Sequence, residues 1–291
     1  MERRTFLALL SAPFFMQPSL RRSRKKNTDP QATSRYIVSQ AVRRAKAERW
    51  DAQPIGQLMG NIGQLLLGTP YVGGTLEGDG PEVCRLDLTG LDCVTYFENV
   101  LCLARVIKKR KPSFEALLDE ITYTRYRGGV LDGYTSRLHY TADWIDDNIR
   151  KRVISDITPQ LNPDPFPLDV HFMSSNPRFY KPLKDNPDLV ASMAQIEQRI
   201  NATSRTYVPK ARIAEIESML QTGDIVAITT SKKGLDYAHT GMVLVDEQGA
   251  RHFMHASQQK KVVRIEPSLH SYVNDVRTHT GISVLRPLDV A

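Results

Sequence analysis

Cysteine is scarce in this 291-residue chain. Cys84, Cys93 and Cys102 are the whole complement, and no Cys-x-x-Cys pair occurs. An odd count without paired spacing argues against a disulfide framework or a zinc ribbon, and leaves at least one thiol free. Long apolar runs are missing too. Residues 6–16 form an apolar stretch of signal-peptide length, too short to span a bilayer, and no other segment is a transmembrane candidate. The body also lacks a dominant charge. The formal net charge is +7, but seven Lys/Arg fall in residues 1–30 against Glu2 and Asp29, leaving 32 basic and 30 acidic residues, a net of +2. That balance gives no electrostatic footprint for nucleic acid. Apart from the basic start there is no low-complexity tract and no internal repeat.

What is present begins with that basic start. Residues 1–32 read as a leader, and the order Arg3-Arg4-Thr5-Phe6-Leu7 resembles a twin-arginine export signal. A periplasmic or cell-envelope location is expected from it. A second basic run (Arg21 to Lys26) and the lack of a small-x-small cleavage site leave the cytoplasm open. A soluble chain with no membrane span is expected after the leader.

Residues 33–291 read as one domain. Helical spacing appears at 33–50 and 53–67, interrupted near Pro54, and again from Cys93 to about Lys109, where Pro112 stops it. Residues 113–222 form a long mixed insertion, with helical patches at 114–124, 141–150, 188–200 and 210–221. Over 223–288 the period changes to five short β-rich runs: "DIVAITT", "HTGMVLVD", "RHFMHAS", "VVRIE" and "GISVLRP". Helices first and strands last predict an α+β fold on an antiparallel sheet.

Cys93 stands where a helix opens, after a possible cap at Asp92. The positive end of a helix lowers a thiol's pKa, and helix amides there can serve an oxyanion. A nucleophile needs a base. Between "HTGMVLVD" and "ARHFMHAS" lie Glu247, Gln248 and Gly249; a three-residue hairpin loop with glycine last places Asp246 opposite Ala250 and His239 opposite Ser257. His255 is then a diagonal neighbour of His239 on one face, about 7–8 Å away between backbones. A two-residue loop would put the two histidines on opposite faces. The plain alternatives are a core cysteine and ordinary strand histidines, and three such ligands without a fourth argue only weakly for zinc.

"LDCVTYFE", "AHTGMVLV" and "HFMHAS" resemble the three motifs of NlpC-type, papain-like cell-wall hydrolases, in the order Cys, His, His. "GTPYVGGTLE" is similar to the loop before their nucleophile, with Tyr71 at the tyrosine that lines the site. "YTSRLHYTADW" and "GDIVAITTSKKGLDYAHTG" resemble the N-acetylmuramoyl-L-alanine amidase-like branch, formerly a domain of unknown function; the likeness covers roughly residues 35–288. One departure is Cys102, where a smaller residue would be expected.

The resemblance implies a papain-like fold, with the nucleophile helix packed on a sheet or half-barrel, and cleavage of the amide between N-acetylmuramic acid and L-alanine in peptidoglycan fragments or sacculus. It implies Cys93 as a thiolate nucleophile kept ionised by His239, His255 as orienting residue, a thioester intermediate, and neither metal nor organic cofactor. Tyr71, Tyr134, Arg137, His139 and Tyr140 are candidate substrate residues, Arg137 as a fork for a stem-peptide carboxylate. The competing readings are a stem-peptide endopeptidase of the same fold, a non-catalytic wall-binding module, and a lipid acyltransferase. The last usually brings a membrane-seeking apolar segment that the body lacks.

Overall fold

The computed structural model describes residues 29–290. The leader expected over 1–32 therefore lies outside the described residues except for its last four. Three of those four, Pro30, Gln31 and Ala32, open the first helix, because Asp29 accepts the Gln31 amide at 3.0 Å and Pro30 fits the first helical turn.

The helical half comprises α1 (Pro30–Ala47), α2 (Ile55–Leu65), α3 (Cys93–Lys108), α4 (Phe114–Arg125) and α5 (Thr141–Arg150). The region read as an insertion continues with β1 (Ile154–Asp156), β2 (Asp164–Pro165), α6 (Phe172–Ser175), α7 (Lys181–Lys184), α8 (Pro187–Asn201), β3 (Thr206–Pro209) and α9 (Ile213–Ile216). The strand-rich end holds β4 (Ile225–Thr230), β5 (Tyr237–Val245), β6 (Arg251–Ser257), β7 (Val262–Glu266), α10 (Leu269–Asn274) and β8 (His279–Pro287). The class is α+β, as the pattern predicts. The sheet runs β2-β3-β8-β4-β5-β6-β7, with β1 also on β8, and every pairing is antiparallel.

Both faces of this sheet are covered, which explains why every residue of β4 is buried. Ile225, Ala227, Met242 and Met254 face the helices α1–α5, while Val226, Ile228, Val243 and Phe253 pack with Ile213, Ile216, Leu269 and Val273 from α9 and α10. The segment 113–222 is no separate lobe, since β1 and β3 both pair with β8.

One expected helix is broken. Residues 210–221 form short turns around the four-residue α9. Arginines of the sheet reach their carbonyls: Arg251 donates to Ser218 O at 2.8 Å and Leu220 O at 3.5 Å, and Arg286 to Met219 O at 3.5 Å. Carbonyls engaged from outside do not extend a helix.

Helix α3 is buried along almost its whole length, including its charged Glu98 and Arg105, and Glu98 meets a buried arginine of α4. Glu98 is 1% exposed and Arg125 3%. Arg125 Nε donates to Glu98 Oε2 at 2.7 Å, and Trp144 Nε1 donates to Oε1 at 3.1 Å, so one carboxylate ties α3 to α4 and α5. The second guanidinium arm donates to Arg85 O at 2.6 Å. Removing one member of such a pair strands a buried charge. Glu98→Ala is expected to lower stability by about 3–5 kcal/mol, and the double replacement Glu98→Leu with Arg125→Met to recover most of it. Urea unfolding of the three proteins reads this; equal losses in the single and double variants would contradict it.

Candidate active site

The site starts at the first turn of α3. Asp92 caps the helix, accepting the Val94 and Thr95 amides at 3.1 and 2.8 Å, while Thr95 Oγ1 accepts the Asp92 amide at 2.9 Å. The cap predicted from sequence is present and is a closed capping box. It has a chemical consequence, because two of the amides expected to serve an oxyanion are already bonded to a carboxylate. Tyr96 N closes onto Asp92 O at 3.0 Å. Of the first-turn donors, the Cys93 amide is the one that these bonds leave to an incoming ligand.

The hairpin register is the one that brings the histidines together. Gly249 has φ +83°, Asp246 N bonds Ala250 O at 3.0 Å, and Met242 stands opposite Met254. His239 Nε2 and His255 Nδ1 are 2.6 Å apart with their rings perpendicular. These two nitrogens face each other, so they do not both point at a shared metal. Phe253 stacks on His255 with centroids 4.8 Å apart. Gly241 makes room for it: a Cβ there would lie 2.5 Å from the Phe253 ring. Thr240, on the alternate face of β5, donates its hydroxyl to Cys93 O at 2.9 Å, fastening the head of α3 to β5.

Cys93 and His239 line one cavity of about 230 Å³. The far wall comes from the insertion and includes His139, Tyr140, Met173 and Tyr180. Tyr71 sits on the loop before the helix, pinned by Tyr71 N to Lys261 O (3.0 Å) and Val72 N to Leu91 O (3.0 Å). Its phenol is pushed up to about 12, chiefly by burial and further by the nearby Asp92 carboxylate and by any charge on the Cys93 sulfur, so it stays a donor.

The electrostatics differ from the expectation. Burial, and then the Asp92 carboxylate, push the Cys93 thiol up to about 11; hydrogen bonds from Thr240 and from its own amide pull the other way and do not prevail. His239 is held well below the usual histidine range by burial and by the neighbouring His255 and His279. These surroundings favour a neutral thiol and a neutral imidazole over the expected thiolate. The physical reason is that partial burial disfavours both charges and that the cap carboxylate opposes the helix's positive end.

The candidate substrate residues divide. Tyr140 lines the cavity by its ring, but its hydroxyl donates to Glu197 at 2.7 Å and accepts the Met173 amide at 2.8 Å. His139 is also a lining residue; its Nε2 donates to Tyr134 O at 2.9 Å, and burial with nearby Arg137 and Arg127 lowers it to about 3. Tyr134 is buried under the His139 ring at 4.4 Å and lines a different cavity, beside Glu77 and Glu82. Arg137 is the clear correction. It is 4% exposed, with Nη2 2.5 Å from Glu77 and Nε 3.2 Å from Glu82, so its fork holds the chain's own carboxylates rather than a substrate's.

Three residues escaped the sequence reading. Thr240 follows His239 directly and carried no signal of its own. Tyr272 lies over both histidines, 4.7 Å from His255 and 5.8 Å from His239. Glu266 Oε1 stands 3.3 Å from His255 Nε2. The diagonal rule that joins His239 to His255 would also have joined His255 to Glu266, had it been carried one strand further.

Comparison with known proteins follows the same lines. A family model described as AmiA-like, N-acetylmuramoyl-L-alanine amidase-like, matches residues 61–282. A Bacteroides uniformis structure named as an N-acetylmuramoyl-L-alanine amidase is 38% identical, with 80% of this chain and 98% of that one covered and a TM-score of 0.74. A Bacteroides fragilis structure whose name proposes a xylanase is 35% identical, with coverages of 77% and 98% and a TM-score of 0.72. A Legionella pneumophila protein of the DUF1460 family model shares the fold at 21% identity, with coverages of 89% and 97% and a TM-score of 0.65. No curated protein matches. The family match and the 38% identity together show that this chain belongs to the N-acetylmuramoyl-L-alanine amidase-like family.

Proposed function

We propose that the chain is a papain-like cysteine amidase that cuts the bond between the lactyl group of N-acetylmuramic acid and L-alanine, in peptidoglycan or its fragments. One observation carries the reading: in a chain of this family, a helix-head cysteine and a strand histidine line one cavity, and that histidine is bonded from behind by a second. His239 Nε2 is engaged by His255, which leaves Nδ1 as the base.

Because thiol and imidazole are both neutral at rest, proton transfer accompanies attack. His239 takes the Cys93 proton as Sγ bonds the amide carbonyl carbon. The oxyanion draws on the Cys93 amide, with the Tyr71 hydroxyl as second donor. His239 then gives that proton to the alanine nitrogen, the C–N bond breaks, and a thioester remains on the lactyl carbonyl. Water, deprotonated by His239, attacks the thioester; the C–S bond breaks, that proton passes to sulfur, and the lactyl carboxylic acid leaves and gives its remaining proton to solvent.

The xylanase name borne by one neighbour finds no support in this cavity. Glycoside hydrolysis generally uses two carboxyl groups facing the scissile bond. The cavity has one, Asp236, and its oxygens accept the Ala142 and Tyr237 amides, each at 2.7 Å. A non-catalytic binding module would not need the His239–His255 contact. Export remains our proposal for residues 1–32, to be read from a reporter fused to them: cytoplasmic retention of the reporter would favour a recycling role.

Mass spectrometry of a defined muropeptide should show an intact peptide beginning with L-alanine; a cut after D-glutamate would establish the endopeptidase instead. Cys93→Ala and His239→Ala should each lower turnover by at least about 10³-fold, and His255→Asn by less, since an amide still accepts from His239. Cys102→Ala should keep activity, its sulfur being buried against Thr124 Oγ1 at 3.1 Å.

The neutral resting pair sets a pH signature. With the thiol at about 11, alkylation of Cys93 by iodoacetamide should rise about tenfold per pH unit from pH 6 to about 10. A plateau beginning below pH 6 would reveal a preformed thiolate–imidazolium pair.

A further inference from the structure

His255 is 0% exposed, and each of its ring nitrogens has one partner, His239 on Nδ1 and Glu266 on Nε2. Strand pairing dictates this arrangement. Arg264 stands opposite His255 between β6 and β7, and Glu266 is two residues along on the same face. Arg264 Nε lies 3.0 Å from the same Glu266 oxygen, a cationic neighbour that steadies the carboxylate. Tyr272 covers the histidine rings at 4.7 and 5.8 Å.

A carboxylate accepts hydrogen bonds and donates none, whereas a neutral imidazole donates from one nitrogen and accepts at the other. His255 must then carry its proton on Nε2, facing Glu266, and its Nδ1 must accept. His239 Nε2 must in turn donate, which leaves the lone pair of neutral His239 on Nδ1. The opposite tautomers would put hydrogen on His239 Nδ1 and leave it unable to take a proton from a thiol there.

We propose that Glu266 is a positioning residue that fixes the tautomers of both histidines through His255 and so makes His239 a base at Nδ1. The proposal rests on the cysteine-amidase reading above for its consequence in turnover. Its chemistry is independent of that reading, because the proton pattern exists without substrate.

The test uses the Cys93→Ala protein, where no turnover interferes. Two-bond proton–nitrogen correlation spectra of its imidazoles should show Nε2–H and bare Nδ1 on both His239 and His255. Adding Glu266→Ala should give a mixture of tautomers. In the active background, Glu266→Ala should lower kcat by about 10–100-fold with KM little changed, and Glu266→Gln should restore most of it through the amide oxygen. A proton on His239 Nδ1 in the parent, or unchanged tautomers in the Glu266→Ala protein, would overturn the assignment. If instead Cys93→Ala still hydrolysed muropeptides, the amidase mechanism would fall, while the spectra would still decide the role of Glu266.

Discussion

The carboxylate of Glu98 anchors the helix on which the site is built. It sits one and a half turns along α3 from Cys93 and takes donors from α4 and α5. Three helices thereby share one buried charge, and α3 has little freedom to slide along the sheet. At its head, Thr240 supplies the second fixed point. Cys93 is thereby placed by two sets of polar contacts, one at the head of its helix and a buried one further along it. The precision that the chemistry needs arises in the packing of the helix rather than at the sulfur.

The rest of the arrangement follows from strand register. Alternation on β5 turns Thr240 toward α3 and His239 toward the opposite face. On that second face, Gly241 admits the Phe253 ring, Phe253 lies against His255, and Tyr272 lies over both histidines. The pocket's outer wall comes from elsewhere in the chain, from His139, Tyr140, Met173 and Tyr180. Scaffold and recognition surface are thus separate in sequence, an arrangement that lets one change without the other.

Much of this was legible in the residues. Asp92 before Cys93, Pro112 after the basic run, and Gly249 ending a hairpin loop each carry a local conformational reason, and the helix and strand they announce are where they should be. What stayed hidden depends on contacts distant in sequence. The two- to four-residue strands β1 to β3 have no period to detect; β1 and β3 exist because β8 offers pairing, and β2 because β3 then offers an edge. Residues 210–221 have helical spacing, but arginines from β6 and β8 claim their carbonyls. Arg137 looked like a free fork because Glu77 and Glu82 are 60 and 55 positions away in the chain. The upward pull on the thiol has a related origin: burial by distant segments comes first, and then the cap residue, which reads as helix signal but also sets a negative charge beside the sulfur.

That charge has a consequence for the protein's durability. The species that reacts with peroxide, and that enters disulfide exchange, is the thiolate. Burial and Asp92 both raise the Cys93 thiol, away from the form that begins the oxidation ladder toward sulfenic and irreversible sulfinic acid. Surroundings that disfavour the thiolate disfavour its reaction with oxidants as well. The other two thiols, Cys84 and Cys102, are raised by burial in the same way.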